Sequence, residues 1–200
     1  MLNTIKRSIN VLKRPSKKAN QRRMVKNGET IDSLVIRDAT AADVPALAAL
    51  HTKAWSETYW TVKNPPTYEI REQQWREQFE VKDDSWFCLV VENSKKQLVG
   101  FAKGVPYMHA TLADYSGELN KIYLLANYQR LGLGRKLICQ TARRFLSKGI
   151  TSMLLFGDAT NPSNSFYEAM GGERLYAKNG DFQGGYGWKD LTKLTAICDI

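Results

Sequence analysis

GELNKIYLLANYQRLGLGRKLICQTARRFLSKG, running from Gly117 to Gly149, changes its hydrophobic period part-way along. Gly117 to Leu125 is apolar and includes the β-formers Ile122 and Tyr123, with polar Glu118, Asn120 and Lys121 near its start. A central strand whose early part borders a cleft has this character. Ala126 to Gln129 reads as a turn. From Arg130 onward Leu133, Leu137, Ile138, Ala142, Phe145 and Leu146 recur at helical spacing, and Gly149 is a natural stop. The expected order is therefore strand, tight turn and long helix.

The turn reads Gln129-Arg130-Leu131-Gly132-Leu133-Gly134. A helix N-terminus carries unsatisfied N–H groups and a partial positive charge. Glycines let that backbone close against a bulky anion, because no Cβ intervenes. Arg130 and Arg135 flank the turn and add charge suited to phosphate oxygens. The stretch is thus a candidate pyrophosphate cradle. Leu137 stands where a Rossmann fingerprint needs its third glycine, and no Gly-Lys-Ser/Thr follows to make a P-loop.

Strand, Gln/Arg-x-x-Gly-x-Gly/Ala and long helix together resemble the acyl-CoA signature of the GCN5-related N-acetyltransferase (GNAT) superfamily. A second stretch, Asn161-Pro-Ser-Asn-Ser-Phe166-Tyr167-x-x-Met170-Gly171, resembles that family's Asn…Phe-Tyr…Gly segment, with Ser165 and Gly172 as minor departures. Asp38-Ala-Thr-Ala-Ala-Asp43 resembles the step from the family's first strand to its first helix. Gly185-Tyr-Gly-Trp-Lys-Asp190 is similar to the closing strand of one of its branches.

The remaining elements follow from local patterns. Leu34 to Arg37 reads as a first strand, with Thr40 capping a helix of Val44, Leu47, Ala48 and Leu50. Asn64-Pro65-Pro66 breaks the chain before a polar helix from Tyr68 to Glu80. Trp86 to Glu92 and Gln97 to Gly104 form a hairpin across Asn93 to Lys96, and an irregular link follows from Pro106 to Ser116. After the long helix come a strand at Ser152 to Phe156 and a short helix at Ser163 to Met170. Strands at Glu173 to Ala177 and Gln183 to Leu191 close the pattern across Asn179-Gly180, and Thr192 to Ile200 carry no readable pattern.

The order β-α-α-β-β-β-α-β-α-β-β matches the GNAT layout over about residues 33–191. The resemblance implies an α/β (α+β) fold with a mixed, mostly antiparallel twisted sheet of about 6–7 strands and about 4 helices. It also implies a splayed parallel strand pair that forms an acyl-CoA slot.

Length suits one folded domain, 43% hydrophobic and 24% charged residues are ordinary globular values, and no apolar run approaches a membrane span. Lys and Arg outnumber Asp and Glu by 29 to 20, and all of the +9 excess lies in residues 1–28, which hold no acid. The domain at 29–200 is neutral overall, which argues against a nucleic-acid substrate. Residues 1–28 read as a solvated basic arm. Other readings are a contact with nucleic acid, ribosome or anionic membrane, a targeting segment, or a stretch preceding a start at Met24. Nucleic-acid or anionic-surface partners are expected only through this arm, and the domain is expected as monomer or homodimer.

Cys88, Cys139 and Cys198 form no CxxC, so three free thiols are expected, with Cys139 a packing residue. That suits a reducing cytoplasm. His51 and His109 are too few and too far apart to suggest a metal, and none is expected.

The resemblance assigns roles. Acetyl-CoA is the implied cosubstrate, held by Ile122, Tyr123 and Leu124 along its pantetheine, by Gln129, Arg130, Leu131, Gly132, Leu133, Gly134 and Arg135 at its pyrophosphate, and by Asn161 and Tyr167. A neutral amine must attack, so a base is needed, and Glu118 occupies the implied position. A backbone N–H near Tyr123 or Leu124 would stabilise the developing oxyanion. Tyr167 is the implied acid for the leaving thiolate. Trp55 and Tyr59, between the first two helices, and Glu118 are candidate acceptor contacts; for Glu118, attraction of a cationic substrate is the competing role. Two functions are carried forward. One is a cytoplasmic N-acetyltransferase acting on a small amine, a peptide N-terminus or a lysine. The other is a catalytically silent acyl-CoA-binding module.

Overall fold

The computed structural model describes residues 30–198; the basic arm at 1–28 lies outside them. In chain order the elements are β1 (Val35–Asp38), α1 (Val44–Thr58), α2 (Tyr68–Glu80), β2 (Phe87–Glu92), β3 (Leu98–Pro106) and β4 (Gly117–Leu124). Then follow α3 (Leu133–Ser147), β5 (Met153–Phe156), α4 (Asn164–Ala169), β6 (Glu173–Tyr176), β7 (Phe182–Trp188) and α5 (Leu191–Cys198). The strands form one sheet in the order β1-β2-β3-β4-β5-β7-β6. Only β4 and β5 pair in parallel; the other neighbours are antiparallel.

The composition of β2 explains the layers. All six of its residues are buried. Phe87, Leu89 and Val91 point into one core with Leu137, Ile138 and Phe145 of α3, while Cys88 and Val90 join Leu47 and Trp75 on the opposite face. A strand covered on both faces needs such a continuous apolar run. Helices α1 and α2 therefore cover one face, and α3 with α5 cover the other.

Charge pins the first corner. The Arg37 guanidinium donates to both Asp43 oxygens at 2.8 Å and to Glu92 at 2.8 and 3.0 Å. Those bonds hold the Asp43 carboxyl at about 2. Asp43 also accepts from the Thr40 N–H at 2.8 Å, so Thr40 forms a capping box on the 3-10 turn Ala41–Asp43 that leads into α1, and Asp43 rather than Thr40 holds the N-cap position of α1 itself.

Two readings change. The long helix starts at Leu133 rather than Arg130, because Arg130 (φ 62°) and Gly132 (φ 84°) are left-handed and cannot continue a right-handed helix. The expectation of three free thiols is also corrected: Cys139 and Cys198 form a disulfide, and Cys88 alone remains free and buried. The reason is tertiary. The C-terminal segment is helix α5, with Leu191 and Leu194 buried in the α3 core, which brings the two cysteine Cα atoms to 6.0 Å. The bridge closes a long loop, with a sequence separation of 59. Cys198→Ser should therefore lower the stability of the oxidised protein by about 2–4 kcal/mol, and a reductant should have the same effect on the unchanged chain, both read by denaturant unfolding.

Among the described residues no helix is long and apolar enough to cross a membrane.

Candidate active site

The slot comes from incomplete pairing. Strands β4 and β5 pair only at Gly117–Met153 and Glu118–Leu154. Beyond that point β5 stays with β7, through Leu155–Tyr186 and Phe156–Gly185, while β4 stays with β3. The β5-facing edge of Leu119 to Leu124 is left without a strand, and a cavity of about 480 Å³ occupies the gap. Ile122, Tyr123 and Leu124 line it from β4, Leu155 and Phe156 from β5, and Asn161, Phe166 and Tyr167 from α4 and the loop before it.

A bulge shapes the β4 wall. Lys103 pairs with Lys121 and Gly104 with Leu119, which leaves Asn120 unmatched. The side chains reverse face there: Leu119 and Ile122 both meet the α3 core, whereas Tyr123 meets the α1 core. The Leu125 N–H bonds Val99 on the β3 side at 3.0 Å, so alternation turns the N–H and C=O of Ile122 and Leu124 toward the slot. Nothing in the composition of the strand signalled this bulge.

The floor of the slot is the start of α3. The first in-helix bond is Lys136 N–H to Gly132 C=O at 3.0 Å, so the N–H groups of Leu133, Gly134 and Arg135 precede the ladder. Gln129, Arg130, Gly132, Gly134 and Arg135 line the cavity; Leu131 and Leu133 do not, and the Leu133 side chain is buried in the core. A Cβ on Gly132 would meet nothing within 4 Å, but one on Gly134 would lie 3.2 Å from the Phe166 ring. Gly134 therefore also lets α4 pack on α3. Arg135 donates to the Ile197 carbonyl, which ties it to α5, whereas Arg130 is exposed beside the slot. Arg130→Glu reverses charge at this floor. It should raise the Kd for acetyl-CoA about tenfold or more by titration calorimetry, as expected for a charge-assisted phosphate contact.

Three phenols gather along the slot. Tyr59, Tyr123 and Tyr167 all line it. Burial pushes the Tyr167 hydroxyl well above its ordinary range, with Tyr59 and Tyr123 adding to the effect. Burial likewise pushes Tyr123 up to about 12. Tyr123 and Tyr167 are therefore protonated at neutral pH. Asn161 donates to the Tyr59 hydroxyl at 3.4 Å and accepts from the Ser163 N–H at 2.8 Å. Trp55 packs against the Tyr59 ring, centroids 5.1 Å apart, and is not part of the cavity wall.

Glu118 lies at the last paired position, where the strands separate. It lines neither the slot nor the cavity beside it. Its carboxylate accepts from Asn120 at 2.8 Å, and Asn120 in turn accepts from Lys121 at 3.0 Å. Lys103 and Lys121 both feel its charge. Of the two histidines, His51 is buried between α1 and the sheet and His109 packs on Tyr107.

Beside the slot, under α2, lies a second cavity of about 410 Å³ that shares Lys121 with it. Sequence reading missed it because its walls come from α1, α2, β3 and β4, far apart along the chain.

Comparison with known proteins agrees with this geometry. The sequence model described as acetyltransferase (GNAT) family matches residues 47–172. The chain belongs to this family. Among curated relatives it is 31% identical over 175 residues to the uncharacterized N-acetyltransferase YuaI of Bacillus subtilis (strain 168), covering 82% of this chain and 98% of that one. It is 29% identical over 161 residues to phosphinothricin N-acetyltransferase of Streptomyces viridochromogenes, covering 78% and 83%. The fold is shared with PaiA N-acetyltransferase of Thermoplasma acidophilum in complex with coenzyme A, at TM-score 0.64 and 20% identity over 78% of this chain and 98% of that one. It is shared too with YncA of Salmonella typhimurium, solved with acetyl-CoA, at TM-score 0.60 and 20% identity over 80% and 94%. This GNAT chain is an acyltransferase with acetyl-CoA as its donor.

Proposed function

We propose that this GNAT protein transfers the acetyl group of acetyl-CoA to a primary amine by direct attack in a ternary complex. The acceptor class is a small molecule, a peptide N-terminus or a lysine. The observation that carries the reading is the strandless β4 edge, open to a slot that ends on the unpaired N–H groups of α3. Acetyl-CoA, when bound, supplies an activated acyl group and a thiolate leaving group. The chain then has three tasks.

Backbone comes first: the Ile122 to Leu124 edge pairs with an extended ligand, and one of its N–H groups receives the developing oxyanion. Glu118 takes the proton of the attacking amine, through water, since its carboxylate lies outside the slot wall. Tyr167 gives its proton to the departing sulfur; its hydroxyl has no protein hydrogen-bond partner among the described residues, so it is uncommitted. Tyr59 and Trp55 border the acceptor side. The active unit is taken as residues 29–200, with the basic arm outside the chemistry.

The test is release of free CoA from acetyl-CoA over a panel of amines and peptides. Acceptor-dependent release supports the reading. Tight acetyl-CoA binding with no release over any acceptor would instead make the protein a silent acyl-CoA-binding module.

A further inference from the structure

The cavity under α2 has a polarity that the transfer chemistry does not require. Arg71 on α2, Lys103 on β3 and Lys121 on β4 line it. None of the three forms an ion pair among the described residues. Glu77, on the rim, is exposed and already accepts from Gln73 at 2.9 Å. Glu118, beyond the far wall, is engaged by Asn120.

The walls also hold polar atoms without partners. Arg71 Nε, Trp75 Nε1 and His51 Nδ1 are all buried without a protein hydrogen bond. Two of these are obligate donors, and Trp75 is 3% exposed. The three cations donate only to neutral amides, Arg71 to Gln74, Lys103 to Gln78 and Lys121 to Asn120. Buried donors without acceptors, and half-buried cations without an anion, are costly unless a ligand supplies charged oxygens. Burial, with Lys121 close by, brings the Lys103 ammonium down to about 8, the mark of a charge lacking a direct counter-ion.

We infer that this cavity is the acceptor's second anchor, and that the acceptor is a small amine that also carries an oxyanion, such as a carboxylate or phosphonate. The inference deepens the acetyltransferase reading and rests on it. The shared wall sets the orientation: Lys121 belongs to both cavities. An acceptor with its anion on Arg71 and Lys103 directs its amine back past Lys121 toward Glu118 and the slot. Arg71 brings a planar guanidinium suited to an oxyanion, although its Nη1 already donates to Gln74 at 2.9 Å, and Lys103 is a point charge that Gln78 holds in place through a hydrogen bond. The same three cations repel polyamines, whose second charge would have to enter here.

The test uses the full chain and matched acceptors: 3-aminopropylphosphonate against propylamine, and L-phenylalanine and L-methionine against their decarboxylated amines. The expected result is a kcat/KM at least tenfold higher for the anionic member of at least one pair. That ratio should fall at least tenfold in Arg71→Gln and in Lys103→Met. Preference for the neutral member in every pair, or an unchanged ratio in both variants, overturns the inference. Should no amine be acetylated, the acetyltransferase reading fails and the subsite is judged separately, by calorimetric titration of 3-aminopropylphosphonate into the CoA-bound protein. Binding that is lost in Arg71→Gln keeps the anion site, and absence of binding removes it.

Discussion

Tyr167→Phe should lower kcat by about 10- to 1000-fold and leave acetyl-CoA affinity nearly unchanged. The phenol lines the slot, burial keeps it protonated well beyond neutral pH, and no protein group competes for its hydrogen among the described residues. Phenylalanine keeps the ring, and with it the contacts to Phe166 and Tyr186 at centroid distances of 5.4 Å. Stability should therefore change little, and the loss is confined to proton donation. Thiolate is a good leaving group even without a proton, which is why the effect stays at or below the usual size for general acid catalysis. Steady-state kinetics beside a direct CoA titration separate the outcomes. Unchanged kcat would remove Tyr167 from the mechanism, and weakened CoA binding with kcat retained would make it a binding residue.

Glu118→Gln should lower kcat/KM about 100-fold near neutral pH, with the loss shrinking as pH rises past the acceptor amine's own pKa. The sign follows from the nucleophile. At neutral pH the amine arrives protonated and needs a base, whereas at high pH it arrives neutral. Glutamine keeps the Oε1 acceptor that Asn120 uses at 2.8 Å, so the bulge geometry survives. The profile is best taken with an acceptor lacking an anion, because Lys103 loses its charge near pH 8 and would add its own decline. A loss equal at all pH values and carried in KM would assign Glu118 to substrate attraction instead.

These two residues illustrate what kind of information the sequence held. Residue order alone was enough for the strand–turn–helix unit, because hydrophobic period and glycine placement are local properties. The turn at Gln129 to Arg135 and the short helix α4 that carries Tyr167 were legible for the same reason, since each has its own local signal. The element order up to β7 followed, the mostly antiparallel sheet came from the family resemblance, and the cap at Thr40 was visible without the bridge from Arg37 to Asp43.

What only the tertiary structure decided depends on contacts between distant segments. Pairing in β4 is set by β3 and β5 together, so neither the bulge at Asn120 nor the separation after Glu118–Leu154 is written in β4's own composition. The helix at Leu191–Cys198 has no strong local signal, and it is held by burial of Leu191 and Leu194 against α3. Cys139 and Cys198 look unrelated until that packing brings them together. The cluster of Arg71, Lys103 and Lys121 is likewise three isolated basic residues in the sequence, 50 positions apart from first to last. It becomes one electropositive cavity only because α2 lies across β3 and β4, where charge that would be screened on an open surface is concentrated and partly dried.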